Sequence, residues 1–68
     1  MDIKQAVGKR LRELRNKLGV SQEELANMAG LDRTYITSVE RGKRNISIVN
    51  IEKIVKVLNV SLSEFFDF

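Results

Sequence analysis

Between residues 33 and 41 the chain places two arginines, two threonines and a serine where a short helix would gather them on one side. Arg33, Thr34, Thr37, Ser38 and Arg41 would lie on the exposed face, with Ile36 and Val39 turned inward. A surface helix kept for stability alone more often carries Glu, Lys and Ala. Threonine is a poor helix former, so two of them on one short helix point to a use for their hydroxyls. Hydroxyls and guanidinium groups are the side chains that bond base edges and phosphates. More donors follow at Lys43, Arg44 and Asn45. Gln22 falls in the first turn of the preceding helix, where its amide and the backbone N–H groups can meet a phosphate. An ordinary N-terminal helix residue would also read this way.

The elements that must hold these residues are helices. There is no proline and there are four glycines, which suits helices joined by short turns. Val7, Leu11, Leu14 and Leu18 recur at helical spacing and predict a first helix over about 3–18, stopped by Gly19. Ser21-Gln22-Glu23-Glu24 has the S-x-x-E form of a capping box. It opens a helix to about Ala29, with Leu25 and either Met28 or Ala29 facing inward. Gly30 supplies a turn, and Asp32 caps a third helix from Arg33 to about Glu40, ended by Gly42. Ser47 caps a fourth over Ile48 to Leu58, and Ser61 caps a last short turn through Phe66. The spacing predicts an all-α, five-helix fold. Residues 22–40 have the dimensions of a helix-turn-helix, whose second helix enters the DNA major groove.

Bulk composition narrows the function. Sixty-eight residues make one domain, 1–68, and a chain so short buries only about 60% of its unfolded surface. There is no Cys or His, so neither disulfides nor zinc are expected to reinforce it. Self-association is the expected extra source of buried area. The lack of Cys fits a reducing cytoplasm. No signal peptide or membrane span is expected. Net charge is +3, and its basic residues gather in Lys9, Arg10, Arg12, Arg15 and Lys17 and again in Arg33, Arg41, Lys43 and Arg44. An enzyme is not expected without His, Cys or a Gly-rich phosphate loop; Glu23 and Glu24 are simply charges favourable at a helix N-terminus.

Gly19-Val20-Ser21-Gln22-Glu23-Glu24-Leu25-Ala26, Ala29-Gly30-Leu31 and Val39-Glu40-Arg41-Gly42 together resemble the lambda-repressor-like (XRE) helix-turn-helix family. Within it, Leu31-Asp32-Arg33-Thr34-Tyr35-Ile36, Glu40-Arg41 and Arg44-Asn45-Ile46 are similar to the controller proteins of bacterial restriction–modification systems. The resemblance implies a homodimeric regulator of transcription that binds double-stranded DNA and controls its own operon. It implies base contacts from Arg33, Thr34, Thr37 and Arg44, and backbone contacts from Gln22, Tyr35, Ser38, Arg41, Lys43 and Asn45. It also implies that Arg15 pairs with Glu40 and fixes the third helix against the first. Thr37 and Ser38 depart from residues common in the family, which leaves the recognised sequence open.

The C-terminal third carries more apolar surface than one small core needs. Ile48, Ile51, Val55 and Leu58 form a stripe that Ile54 and Val57 widen, with Ile46 and Val60 at its ends. Leu62, Phe65, Phe66 and Phe68 follow, so three of the four aromatics lie in the last four residues. Ile51, Val55 and Leu58 are assigned to the core. A two-fold interface over about 46–68 is expected to use Ile46, Ile48, Val49, Asn50, Ile54, Val57, Leu62, Phe65 and Phe66. No cofactor, metal, membrane or small-molecule partner is expected. Activation would add RNA polymerase as a partner. The rival reading is an antitoxin or other small regulator whose main ligand is a protein.

Overall fold

The computed structural model describes residues 2–68 as five helices: α1 Ile3–Leu18, α2 Gln22–Ala29, α3 Arg33–Glu40, α4 Ile48–Leu58 and α5 Leu62–Phe65. Among the described residues there is no strand. Local chemistry sets the boundaries. Asp2, Ser21, Asp32, Ser47 and Ser61 each sit in extended conformation before a helix and accept one or two of its free N–H groups. Ser21 and Glu24 exchange hydrogen bonds of 3.0 Å in both directions, closing the capping box. The Ser21 N–H thereby holds the Glu24 carboxyl below its usual range. Helices α1 and α2 stop at Gly19 and Gly30, and α4 at Asn59, all left-handed.

One core joins the five. Val7, Leu11 and Leu14 of α1 meet Leu25 and Ala26 of α2, Ile36 and Val39 of α3, Ile51, Ile54, Val55 and Leu58 of α4, and Phe65 of α5. Close approach between α1 and α3 depends on Gly8. A Cβ there would stand 2.3 Å from the Val39 carbonyl oxygen and 2.9 Å from that of Glu40. Since glycine costs a helix interior about 1 kcal/mol relative to alanine, the gain here is the contact itself.

Several expectations need correction. Leu18 ends the α1 stripe but is exposed, because the chain turns away at Gly19. Of the two inward candidates on α2, Ala29 packs on the core and Met28 faces solvent. Ile54 and Phe65, expected at an interface, are 0% exposed. The buried face of α4 runs through Ile51, Ile54, Val55 and Leu58, which points Ile54 inward. Phe65 swings under α4 and α1 because α5 folds back beneath them.

Arg10 fixes that fold-back. Its guanidinium donates to the backbone carbonyls of Glu64 and of Phe65, the latter at 3.2 Å across 55 residues of chain. A cation on α1 thus meets the C-terminal end of α5, where the Glu64 carbonyl otherwise accepts a longer bond of 3.3 Å from the Asp67 N–H.

Besides Ile3, Leu18 and Met28, the exposed large apolar residues are Ile48 at 73%, Val49 at 59%, and Leu62, Phe66 and Phe68 at between 42% and 49%. Ile48, Val49 and Leu62 line one shallow depression with Glu52. Ile46, Asn50 and Val57 are half-buried.

Candidate nucleic-acid interface

The second helix of the α2–α3 pair owes its position to a buried carboxylate. Glu40, at the C-terminal end of α3, has a side chain with no solvent exposure. Arg15 of α1 donates to Glu40 Oε2 at 2.7 Å through Nε and to Oε1 at 3.0 Å through its terminal nitrogen. Its other terminal nitrogen donates to the Val20 carbonyl at 2.9 Å, which ties in the α1–α2 turn. Arg12 adds a longer bond to Oε1 at 3.4 Å. Burial pushes the Glu40 carboxyl upward. The bonds from Arg15 and Gln22, the Arg15 charge and the Arg12 bond outweigh it, so the group lies below its ordinary range. The same pairing, chiefly through its hydrogen bond, raises Arg15.

From Glu40 the network runs outward. Gln22 Nε2 donates to Glu40 Oε1 at 3.0 Å, and the Thr37 hydroxyl donates to Gln22 Oε1 at 2.9 Å. Three helices are therefore joined by one chain of hydrogen bonds ending on the face where function was expected. No buried side-chain polar atom among the described residues lacks a partner.

At the start of α3, Asp32 Oδ1 accepts from the Thr34 N–H at 2.9 Å and from its hydroxyl at 2.8 Å. The Thr34 N–H is the main reason the Asp32 carboxyl sits low. Arg33 and Thr34 project into solvent, while Thr37 and Ser38 are half-buried along the same face. Beyond α3, Arg41 is the C-cap, and Gly42, with φ of 71°, turns the chain into Lys43, Arg44 and Asn45, all exposed. A Cβ on Gly42 would meet Gln5 Cγ at 2.7 Å, so the turn also packs against α1. The Arg44 guanidinium carbon lies 4.8 Å from the centre of the Tyr35 ring. The Tyr35 hydroxyl accepts from Asn50 Nδ2 at 3.1 Å. Asn50 on α4, Tyr35 on α3 and Arg44 in the loop thus form a second positioning chain.

The structure brings Arg33, Thr34, Thr37, Ser38, Arg41, Lys43, Arg44 and Asn45 onto α3 and the loop that follows it. Among the described residues, none of Arg33, Arg41, Lys43 or Arg44 forms an ion pair, so their charges are open to an outside anion. Gln22 differs from its sequence reading, because both ends of its amide are spent inside the protein. Asn50, expected at an interface, is engaged with Tyr35. Sequence reasoning missed Gly8, the Arg10 link to α5 and the bridge made by Gln22. Only Gly8 left a signal: a glycine beside Val7 inside a helical apolar stripe.

A short helix with an exposed face of hydroxyls and unpaired cations, docked across two others through a buried carboxylate, is the arrangement of a helix-turn-helix DNA-binding module. The helix-turn-helix family model matches residues 11–65, and the chain belongs to that family. It is 52% identical over 66 residues to control protein C.MunI of Mycoplasma sp, covering 96% of this chain and 89% of that one. The solved restriction–modification controller protein C.AhdI of Aeromonas hydrophila superposes with a TM-score of 0.90 at 51% identity, covering 93% of this chain and 91% of that one. The controller protein C.Esp1396I, solved as a tetramer with its natural 35-base-pair operator, superposes with a TM-score of 0.86 at 41% identity, over 94% and 84% of the two chains.

Proposed function

We propose that this protein is a sequence-specific DNA-binding regulator of transcription, acting as a homodimer on an inverted-repeat operator and controlling a restriction–modification operon that includes its own gene. The observation that carries this reading is the face of α3, with Arg33 and Thr34 exposed and the helix braced by Glu40, in a chain about half identical to control proteins of that class. Arg33, with Thr34, Thr37 and Arg44, reads base edges in the major groove. Arg41, Lys43 and Asn45 hold phosphates, with Ser38 and Tyr35 beside them. Gln22 serves chiefly as a brace, with its backbone N–H at the start of α2 left to meet a phosphate.

The second copy docks on the apolar surface left by Ile48, Val49, Leu62 and Phe66, bordered by Ile46, Asn50 and Val57. A two-fold dimer sets its two recognition helices roughly 34 Å apart, one turn of the duplex. Phosphate neutralisation supplies much of the affinity, and base contacts supply discrimination. When the bound dimer activates transcription, RNA polymerase is a further partner. Among the described residues no helix is long and apolar enough to cross a membrane.

Footprinting on the duplex upstream of the protein's own gene tests the proposal. The expected result is protection of an inverted repeat by two copies per site; a protein that protects no segment there contradicts own-gene control.

A further inference from the structure

The Thr37 hydroxyl has one proton, and every group within hydrogen-bond reach inside the protein is an acceptor. Gln22 Oε1 lies 2.9 Å away and the Arg33 carbonyl 3.1 Å away. The orientation of the Gln22 amide is not free. Its nitrogen faces Glu40 Oε1 at 3.0 Å, and an ionised carboxylate only accepts. Turning the amide over would set its oxygen against that carboxylate and its N–H₂ against Thr37. Glu40 is itself locked by two bonds from Arg15. The direction of donation is therefore dictated from the buried ion pair outward: Arg15 to Glu40, Gln22 to Glu40, Thr37 to Gln22.

We infer that the Thr37 hydroxyl meets DNA only as a hydrogen-bond acceptor, so that the base it hydrogen-bonds is a cytosine or an adenine, recognised through the exocyclic amine in the major groove. This rests on the proposed placement of α3 in that groove. In the major groove the donors are the cytosine N4 and adenine N6 amines, whereas guanine N7 and O6, adenine N7 and thymine O4 are acceptors. Phosphate oxygens are acceptors too. A hydroxyl whose proton is committed inward offers them nothing, so Thr37 belongs to base readout and not to backbone anchoring. Swinging the proton outward would leave Gln22 Oε1 without its partner, a cost incurred only if the new bond exceeded it. Arg33, a pure donor one helical turn earlier, has the opposite preference. The face thus carries both halves of a donor–acceptor code.

Two measurements test this, one without DNA. In the free protein, the Gln22 side-chain amide protons should shift as the Glu40 carboxyl is titrated, and should lose that response in Glu40→Gln. Gln22 protons indifferent to Glu40 overturn the inference whatever the protein binds. With DNA, wild type and Thr37→Val are compared on a selected operator to find the one base pair per half-site whose preference Thr37 sets. There, deleting the exocyclic amine (purine for adenine, 2-pyrimidinone for cytosine) should weaken wild type and Thr37→Ser about tenfold while Thr37→Val loses nothing further. Sensitivity that instead follows 7-deaza substitution, or a base pair read through thymine O4 or guanine O6, overturns it. Should the Gln22 response hold while no operator is selected at all, the regulator reading fails and the base-reading role of Thr37 falls with it.

Discussion

Gly8 and Val39 lie so close that a single methyl group between them would stand 2.3 Å from the Val39 carbonyl oxygen. The obstacle is backbone, not a side chain that could swing away, so α1 and α3 would have to separate. Gly8→Ala is expected to destabilise the fold by about 2–3 kcal/mol despite alanine's better helix propensity. Urea denaturation measures it; a Gly8→Ala protein as stable as wild type would show that the helices have slack.

Arg15→Ala leaves the fully enclosed Glu40 side chain without its main partner. Breaking one side of such a pair costs roughly 3 kcal/mol. DNA affinity should fall alongside thermal stability, since α3 loses its brace to α1. Unchanged stability in the variant contradicts the bracing role.

The Glu40 carboxyl is held low in the folded state, because partner bonds overcome the upward push of burial. A depressed carboxyl contributes stability that is fully present above its unfolded value of about 4.3 and is lost as pH falls through the folded value. Stability should therefore decline with acidification below about pH 5, with a shallower decline in Glu40→Gln. Asp32 and Glu24, also lowered, contribute the same sign in both proteins, so the difference isolates Glu40. Equal slopes in the two proteins would show that ionised Glu40 does not stabilise the fold.

Arg10 holds carbonyls of α5, and α5 carries the fully buried Phe65. Arg10→Ala is expected to cost about 1–2 kcal/mol and to speed amide exchange in 62–66 before the rest of the chain. Uniform exchange across all five helices would place the effect elsewhere.

Leu62→Asp and Ile48→Glu alter exposed apolar residues, while Phe65→Ala empties the core. Sedimentation should find the first two folded and monomeric at concentrations where wild type is dimeric. Phe65→Ala should instead lose about 3–5 kcal/mol of stability. A wild-type chain that stays monomeric at high concentration contradicts the proposed interface.

The parts of this fold legible in the sequence are those governed by neighbours along the chain. Ser21 with Glu24, Asp32 with Thr34, and Gly19 and Gly30 each act within a few residues, so helix ends could be placed from local chemistry alone. The exposure of Arg33 and Thr34 followed from the period of Ile36 and Val39. Pairing of Arg15 with Glu40 came through family resemblance, since nothing local joins residues 25 apart. Phe65 shows the limit most clearly. A run of terminal aromatics reads as surplus apolar surface until α5 is known to fold beneath α4, and the Arg10 link that secures it has no periodic signature. The bridge made by the Gln22 amide has no local signature for a related reason: a polar residue at a helix start looks free until Glu40 and Thr37 are found at its two ends.

Whether α3 reads a defined DNA sequence is tested by selection from random duplexes at two salt concentrations. A short inverted repeat should be recovered that Arg33→Ala no longer enriches, while Lys43→Ala weakens binding evenly across sequences and lowers the salt slope by about one. Enrichment of no sequence, or only salt-sensitive binding indifferent to sequence, would contradict it.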